Sequence, residues 1–181
     1  MRRTTWALGW ILAVTTVGLG WGPPGAVAQE PERFEGAPAS PEQARQTVKM
    51  LDDVYKTAVV LITDKYVNDE DDFPAGSAAI ALFEAIGKQG WHQVRLLDVT
   101  GDPYESSNVA KDDFEKQAVE KIKSGESFVE SLETQDGKRY FRAMTPVPVV
   151  MSKCVMCHPH YKDAKPGEAI GAISYRLPMS P

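Results

Sequence analysis

Cysteine is scarce in this chain: there are two in 181 residues. Two thiols cannot frame a disulfide-built secreted scaffold. Positive charge is in deficit, with 20 Lys and Arg against 25 Asp and Glu. A formal net charge of −5 argues against nucleic acid or an anionic membrane as the main partner. Low complexity and internal repeats are missing, which removes linker-like and solenoid classes. What remains is 43% hydrophobic and 25% charged, an ordinary globular composition of a length for one domain.

The first 28 residues read as an address. Met1-Arg2-Arg3 is a positive start, residues 6–21 carry no charge, and Pro23-Pro24-Gly25 breaks the run. Ala26-Val27-Ala28 then offers small residues at the spacing of a signal-peptide cleavage site. The uncharged core is shorter than the ~20 residues of a spanning helix and contains several glycines, so cleavage after Ala28 is expected rather than anchoring. Cleavage takes away two cations and no acid, leaving 153 residues and a net charge of −7. The expected product is periplasmic or otherwise secreted, with no stable membrane insertion.

Residues 29–39 are rich in Pro, Glu, Gly and Ala and read as a flexible leader. A single domain is expected over residues 40–181. Ser40-Pro41-Glu42-Gln43 has an N-cap, a first-turn proline and a capping-box glutamine. Ala44, Val48, Leu51, Tyr55, Ala58, Ile62 and Tyr66 then step by three or four, predicting one face of a long helix that stops near Asn68. The acidic turn 68–72 lacks the glycine and terminal glutamate of an EF-hand and reads as a solvated loop. Helices are predicted over 75–88 and 112–124. Strands are predicted over 94–98, 128–134, 139–146 and 171–177, the middle two joined across Asp136-Gly137, a hairpin signal. The order points to an α+β fold with an antiparallel sheet.

Both cysteines lie in Cys154-Val155-Met156-Cys157-His158. This is the C-x-x-C-H sequence of covalent c-type haem attachment. Two thiols three positions apart reach the two vinyl groups of one porphyrin, and the histidine that follows is held under the iron as proximal ligand. One covalent haem c is therefore expected, on Cys154 and Cys157, with His158 as axial ligand. A thioredoxin-like couple requires a helix start in a βαβ unit, and no such unit surrounds the motif. Zinc on Cys154, Cys157, His158 and His160 would strain a tetrahedral site through the adjacent Cys157 and His158.

The sixth ligand stays open. Candidates are Met50, Met144 and His92. Met151, Met156, Met179 and His160 complete the inventory, as does an unfilled position. Met156 sits inside the attachment loop, and His160 is too close to His158 to reach the opposite face. Met50 lies on the long helix, where methionine more often packs into the core, and His92 follows Trp91 at a corner where a surface histidine is equally expected. The apolar run Thr145 to Met151 is expected to line one face of the haem, with Tyr140, Phe141 and Tyr161 as packing neighbours. Arg139, Arg142, Lys153 and Lys162 are near enough in sequence to meet haem carboxylates.

Several stretches carry a family resemblance. They are the long helix ending in Lys65-Tyr66-Val67, the segment from Trp91 to Asp98 with Thr100-Gly101-Asp102-Pro103, and Gly137-Lys138-Arg139-Tyr140-Phe141-Arg142-Ala143 leading through Thr145-Pro146-Val147 to the motif. Over roughly residues 45–177 the chain resembles a domain-of-unknown-function family of small bacterial haem-c proteins, best known from a cyanobacterial member. The resemblance implies a PAS-like antiparallel sheet flanked by helices, one haem c, and Cys154, Cys157 and His158 in the roles above. In the cyanobacterial member a cysteine of the N-terminal helix completes a His/Cys pair on the iron. Here that helix has no cysteine, so this ligation does not carry over.

Three function classes compete. An electron carrier or redox partner fits a single attached haem and an acidic surface that would dock on a basic face of a partner protein. A haem-based sensor of redox state or a diatomic gas would have to act through a separate protein. An enzyme needs a positioned acid–base group over an open iron, and no distal His/Arg pair is evident, so it ranks last.

Overall fold

The computed structural model describes residues 36–68, 74–155, 159–165 and 167–180, with backbone only at 159 and 160. The expected signal peptide with its cleavage site, the first part of the leader, the acidic turn after Asn68 and residues 156–158 lie outside the described residues.

Helix α1 spans Pro41–Tyr66. Its start follows from local chemistry. The Ser40 hydroxyl accepts from the Gln43 N–H at 3.2 Å, and the Gln43 amide oxygen accepts from the Ala39 N–H at 2.9 Å, the reciprocal logic of a capping box displaced by one residue. Ala44, Val48 and Tyr55 are buried as the periodicity predicts, but Tyr66 is 75% exposed. Over the last turns Thr63 takes the inward place instead, its hydroxyl satisfied by donating to the Val59 carbonyl at 2.8 Å.

Helix α2 (Ala75–Gly87) follows, then strand β1 (Gln93–Asp98), helix α3 (Asp113–Lys123), strands β2 (Val129–Gln135) and β3 (Lys138–Pro148), two 3₁₀ turns (Ser152–Val155 and Pro159–Asp163) and strand β4 (Ala169–Pro178). The four strands form one sheet in the order β1-β4-β3-β2, every pair antiparallel. Asp136 (φ 52°) and Gly137 (φ 72°) make the β2–β3 turn, the left-handed pair that a two-residue hairpin requires. The fold is α+β, as expected.

Alternation along the strands sets two cores. Phe141, Ala143, Ile173, Tyr175 and Leu177 face α1 and α2 and pack on Ala44, Val48, Tyr55, Ala79 and Phe83. Leu97, Val129, Met144 and Ala172 face α3 and pack on Ala118 and Ile122. The α3 side also holds an ion network. Glu115, 2% exposed, receives Arg95 at 2.5 Å, and Arg142 bonds Asp112 at 2.8 Å and Glu133 at 2.9 Å. The last residues of the expected leader are hydrogen-bonded to the C-terminal segment. Ser180 donates its N–H to the Pro38 carbonyl and its hydroxyl to the Ala37 carbonyl, both at 2.9 Å.

Candidate functional site

On the α1/α2 side of the sheet a cleft of about 180 Å³ opens beside Cys154. Val59, Thr63 and Val67 of the α1 end form one wall, and Pro74 to Ser77 with Ile80 form the second. Leu96, Asp98, Val147, Ile170 and Gly171 make the floor, and Tyr104, Glu105 and Asn108 close one end. A Cβ at Gly171 would sit 3.0 Å from the Leu97 carbonyl oxygen, so the floor relies on a missing side chain where β1 and β4 meet. A second hollow of about 320 Å³, with Arg95, Lys111 and Glu84 in its wall, adjoins the cleft across Ile80, Leu96 and Asn108.

Two side chains hold the attachment segment to this cleft. Lys153, next to Cys154, donates its ammonium to the carbonyls of Asp64 (2.8 Å) and Val67 (2.7 Å). Asp64 lies in the last turn of α1 and Val67 is its C-cap residue, where carbonyls have no helical partner. After the motif, the Tyr161 hydroxyl donates to Asp98 Oδ1 at 3.3 Å. Burial, reinforced by the Asp98 charge, pushes the Tyr161 phenol up to about 12, so it stays a protonated donor. Asp98 is itself fixed, receiving the Thr100 hydroxyl at 2.7 Å and the Gly101 N–H at 2.6 Å.

The fit to a flat apolar cofactor can be tested on these residues. The described lining is mostly aliphatic, and Cys154 is a half-buried free thiol at its edge. The volume is below the ~300–1,000 Å³ of sites that enclose a drug-sized ligand, so the cleft has room for no more than one edge of a macrocycle. The residues present suit a thioether-tethered haem. Cys157 and His158, the other two members of the motif, lie outside the described residues.

The remaining candidates are dispersed. Met50 is 59% exposed on the outer side of α1, not in the core. Met144 is fully buried, but in the α3-side core, with the sheet between it and the cleft. His92 is also buried rather than a surface residue. It precedes β1 and shares a 2.7 Å hydrogen bond with the Tyr55 hydroxyl. Burial pulls its imidazole below the usual range and pushes the Tyr55 phenol up. Met179 packs into the α1/α2 core. None of Met50, Met144, His92, Met151 and Met179 lines the cleft. Of the four cations expected near haem carboxylates, only Lys153 does. Arg142 is committed to Asp112 and Glu133 on the α3 side, its guanidinium 4.6 Å from the Phe114 ring centroid.

Sequence reasoning passed over Asp98 and Asp52. Asp52 Oδ1 accepts from the Thr145 hydroxyl at 2.5 Å and the Tyr175 hydroxyl at 2.8 Å, and its other oxygen meets Lys56 at 2.8 Å. Burial and this carboxylate push the Tyr175 phenol well above its usual range. In the sequence, Asp52 and Lys56 look like an exposed i,i+4 pair. The one available signal was that Asp52 flanks the apolar face.

Comparison with known proteins now places the chain. No match is found among curated proteins. The cyanobacterial heme-protein Tll0287 has a similar crystal structure. The TM-score is 0.52 with 11% identity, covering 78% of this chain and 98% of that one. At this identity the likeness shows the fold, which is consistent with a PAS-like arrangement. The model of the Tll0287-like family matches residues 38–178, most of the chain. The chain is a member of the Tll0287-like family.

Proposed function

We propose that this protein binds one haem c outside the cytoplasm, with Cys154 and Cys157 as thioether attachment residues and His158 as axial ligand. The observation that carries the reading is that the first thiol of the C-x-x-C-H run lines an apolar cleft. A bound haem supplies a one-electron change at iron. The chain's own residues set its surroundings. Lys153 pins the segment upstream of the tether to the end of α1, and Tyr161 pins the segment downstream to Asp98. Val59, Ile80, Leu96 and Val147 exclude water from the edge they cover.

We read the physiological role as electron transfer or service as a redox partner. With the signal peptide removed near Ala28, a net charge of −7 would steer the protein to a basic face of its partner. A second reading, a redox or diatomic-gas sensor acting through a separate protein, is favoured by one placement: Met50, Met144 and His92 all lie off the cleft. The reading is tested by expression alongside a haem-c maturation system. Covalent haem is expected to survive denaturation, and Cys154→Ala with Cys157→Ala to abolish it. Recovery of wild-type protein with no covalent haem overturns it.

A further inference from the structure

We infer that the open edge of β1 docks an extended peptide segment of a partner protein, which adds a strand beside Val94 and Leu96 and carries an acidic residue between two apolar ones. β1 is an edge strand, since the sheet order is β1-β4-β3-β2. Two contacts fix the direction of its main-chain groups. The Val99 N–H points to the β4 side and donates to the Ile170 carbonyl at 3.3 Å, whereas the Asp98 N–H points away and donates to the Asn108 carbonyl at 2.8 Å. These groups alternate along a strand, so the N–H and C=O of Leu96 and Val94 also point away from β4. Among the described residues neither has a hydrogen-bond partner on that side.

The edge opens into the hollow of about 320 Å³ between α2 and residues 107–111. Its outer wall is fixed: Arg95 donates to the Val109 carbonyl at 3.0 Å, and the Lys111 N–H donates to Glu115 Oε2 at 2.8 Å. The Asn108 carbonyl already takes the Asp98 N–H as an added strand would. The chain then turns off toward α3, and Leu96 and Val94 are the next two rungs it leaves open.

The shape and chemistry of the hollow set the occupant. The edge is recessed, with Val94 only 5% exposed and walls on both sides. The β1 edge of a second copy, flanked by the same walls, cannot enter, whereas a slender extended segment can. Such strand addition draws affinity from main-chain bonds and specificity from alternate side chains. Residues opposite Val94 and Leu96 fall on the α2 side, over Ile80 and Phe83, and the residue between them falls on the α3 side with Arg95. Arg95 is neutralised by Glu115 at 2.5 Å, while Lys111, exposed at the rim, enters no ion pair among the described residues. An acidic residue at the middle position meets that cation, and Glu84 on the α2 wall disfavours acid at the other two.

The test uses the whole protein and three labelled, capped pentapeptides: Thr-Ile-Glu-Val-Thr, the same peptide with Lys for Glu, and the same peptide N-methylated at Ile and Val. Fluorescence anisotropy measures binding, and amide hydrogen exchange locates it. The first peptide is expected to bind with a Kd of about 1 mM or below and to slow exchange at Val94 and Leu96. N-methylation is expected to weaken it about tenfold, since edge carbonyls lose their donors. Lys for Glu is expected to weaken binding, and Lys111→Glu to reverse that preference. Leu96→Pro removes an outward N–H and no bond to β4, and is expected to weaken the first peptide; the exposed Lys111→Glu keeps the proposal testable should the proline variant fail to fold. Absence of binding at that concentration, indifference to N-methylation, or slowed exchange confined to the Cys154 cleft overturns the proposal. So does a wild-type dimer whose formation slows exchange at Val94 and Leu96, since a second copy would then hold the edge.

Discussion

Met50 and Met144 carry the same side chain and sit in opposite environments, one largely in solvent and one with none. Met144→Ala leaves a cavity in the α3-side core and is expected to cost about 2–5 kcal/mol, whereas Met50→Ala stays within about 0.5 kcal/mol. Denaturant titration of both variants checks the pair, and equal losses would contradict these placements. His92 gives a pH-dependent counterpart. Its imidazole is buried, and desolvation holds its folded-state value below the unfolded one. The unfolded chain therefore binds the proton more readily as pH falls. His92 contributes stability that is in place above the ordinary histidine value and is lost on acidification through and below it. His92→Gln is expected to shrink the drop in Tm between pH 7.5 and 5.5. An undiminished drop would show that other groups carry it. Residue environments were the least legible part of the sequence. The predicted stripe of α1 passes over Met50, whereas which side of the sheet Met144 faces depends on how the strands and helices meet.

Elements were legible where local chemistry decides them. Ser40 announces the start of α1 and its cap forms, while Asp112, expected as the first residue of α3, stands just before it as the cap, accepting from the Glu115 N–H at 2.8 Å. Asp136-Gly137 makes its hairpin because its two residues tolerate positive φ. Local chemistry stops deciding at the end of α1. There tertiary packing turns Thr63 inward and Tyr66 outward, against the predicted stripe. The two 3₁₀ turns around the motif were not foreseen, since their pins to Val67 and Asp98 are contacts between distant segments. Asp112 serves as cap and as an Arg142 partner, while Ser40 is a cap alone at an exposed site. Ser40→Ala is expected to cost ~1 kcal/mol, and Asp112→Ala more, because Arg142 would be left buried with one fewer partner. Thermal melts of the two variants rank them, and the reverse order would contradict the dual role. Gly171→Ala is expected to destabilise by pressing a methyl on the Leu97 carbonyl, read as a lower Tm than wild type.

For the whole molecule, charge is the property that bears on association. The chain carries a net charge of −5, so the proposed association with a basic redox partner should weaken steeply as salt rises past about 0.15 M, where the Debye length is about 8 Å. Stopped-flow electron transfer at two ionic strengths measures this, and a salt-independent rate would contradict electrostatic docking. The haem-attachment sequence stands in five consecutive residues, while the cleft beside its first thiol was not legible. Its walls come from α1, α2, β1, β3 and β4, which only the fold brings together. The central claim is that this cleft edge carries a tethered haem. Its most direct test is the mass of the protein, purified from cells with haem-c maturation and then fully denatured. The account predicts the mass of a chain beginning at Gln29 plus one haem, reverting to the polypeptide alone in Cys154→Ala/Cys157→Ala. A wild-type mass equal to the bare polypeptide would contradict it.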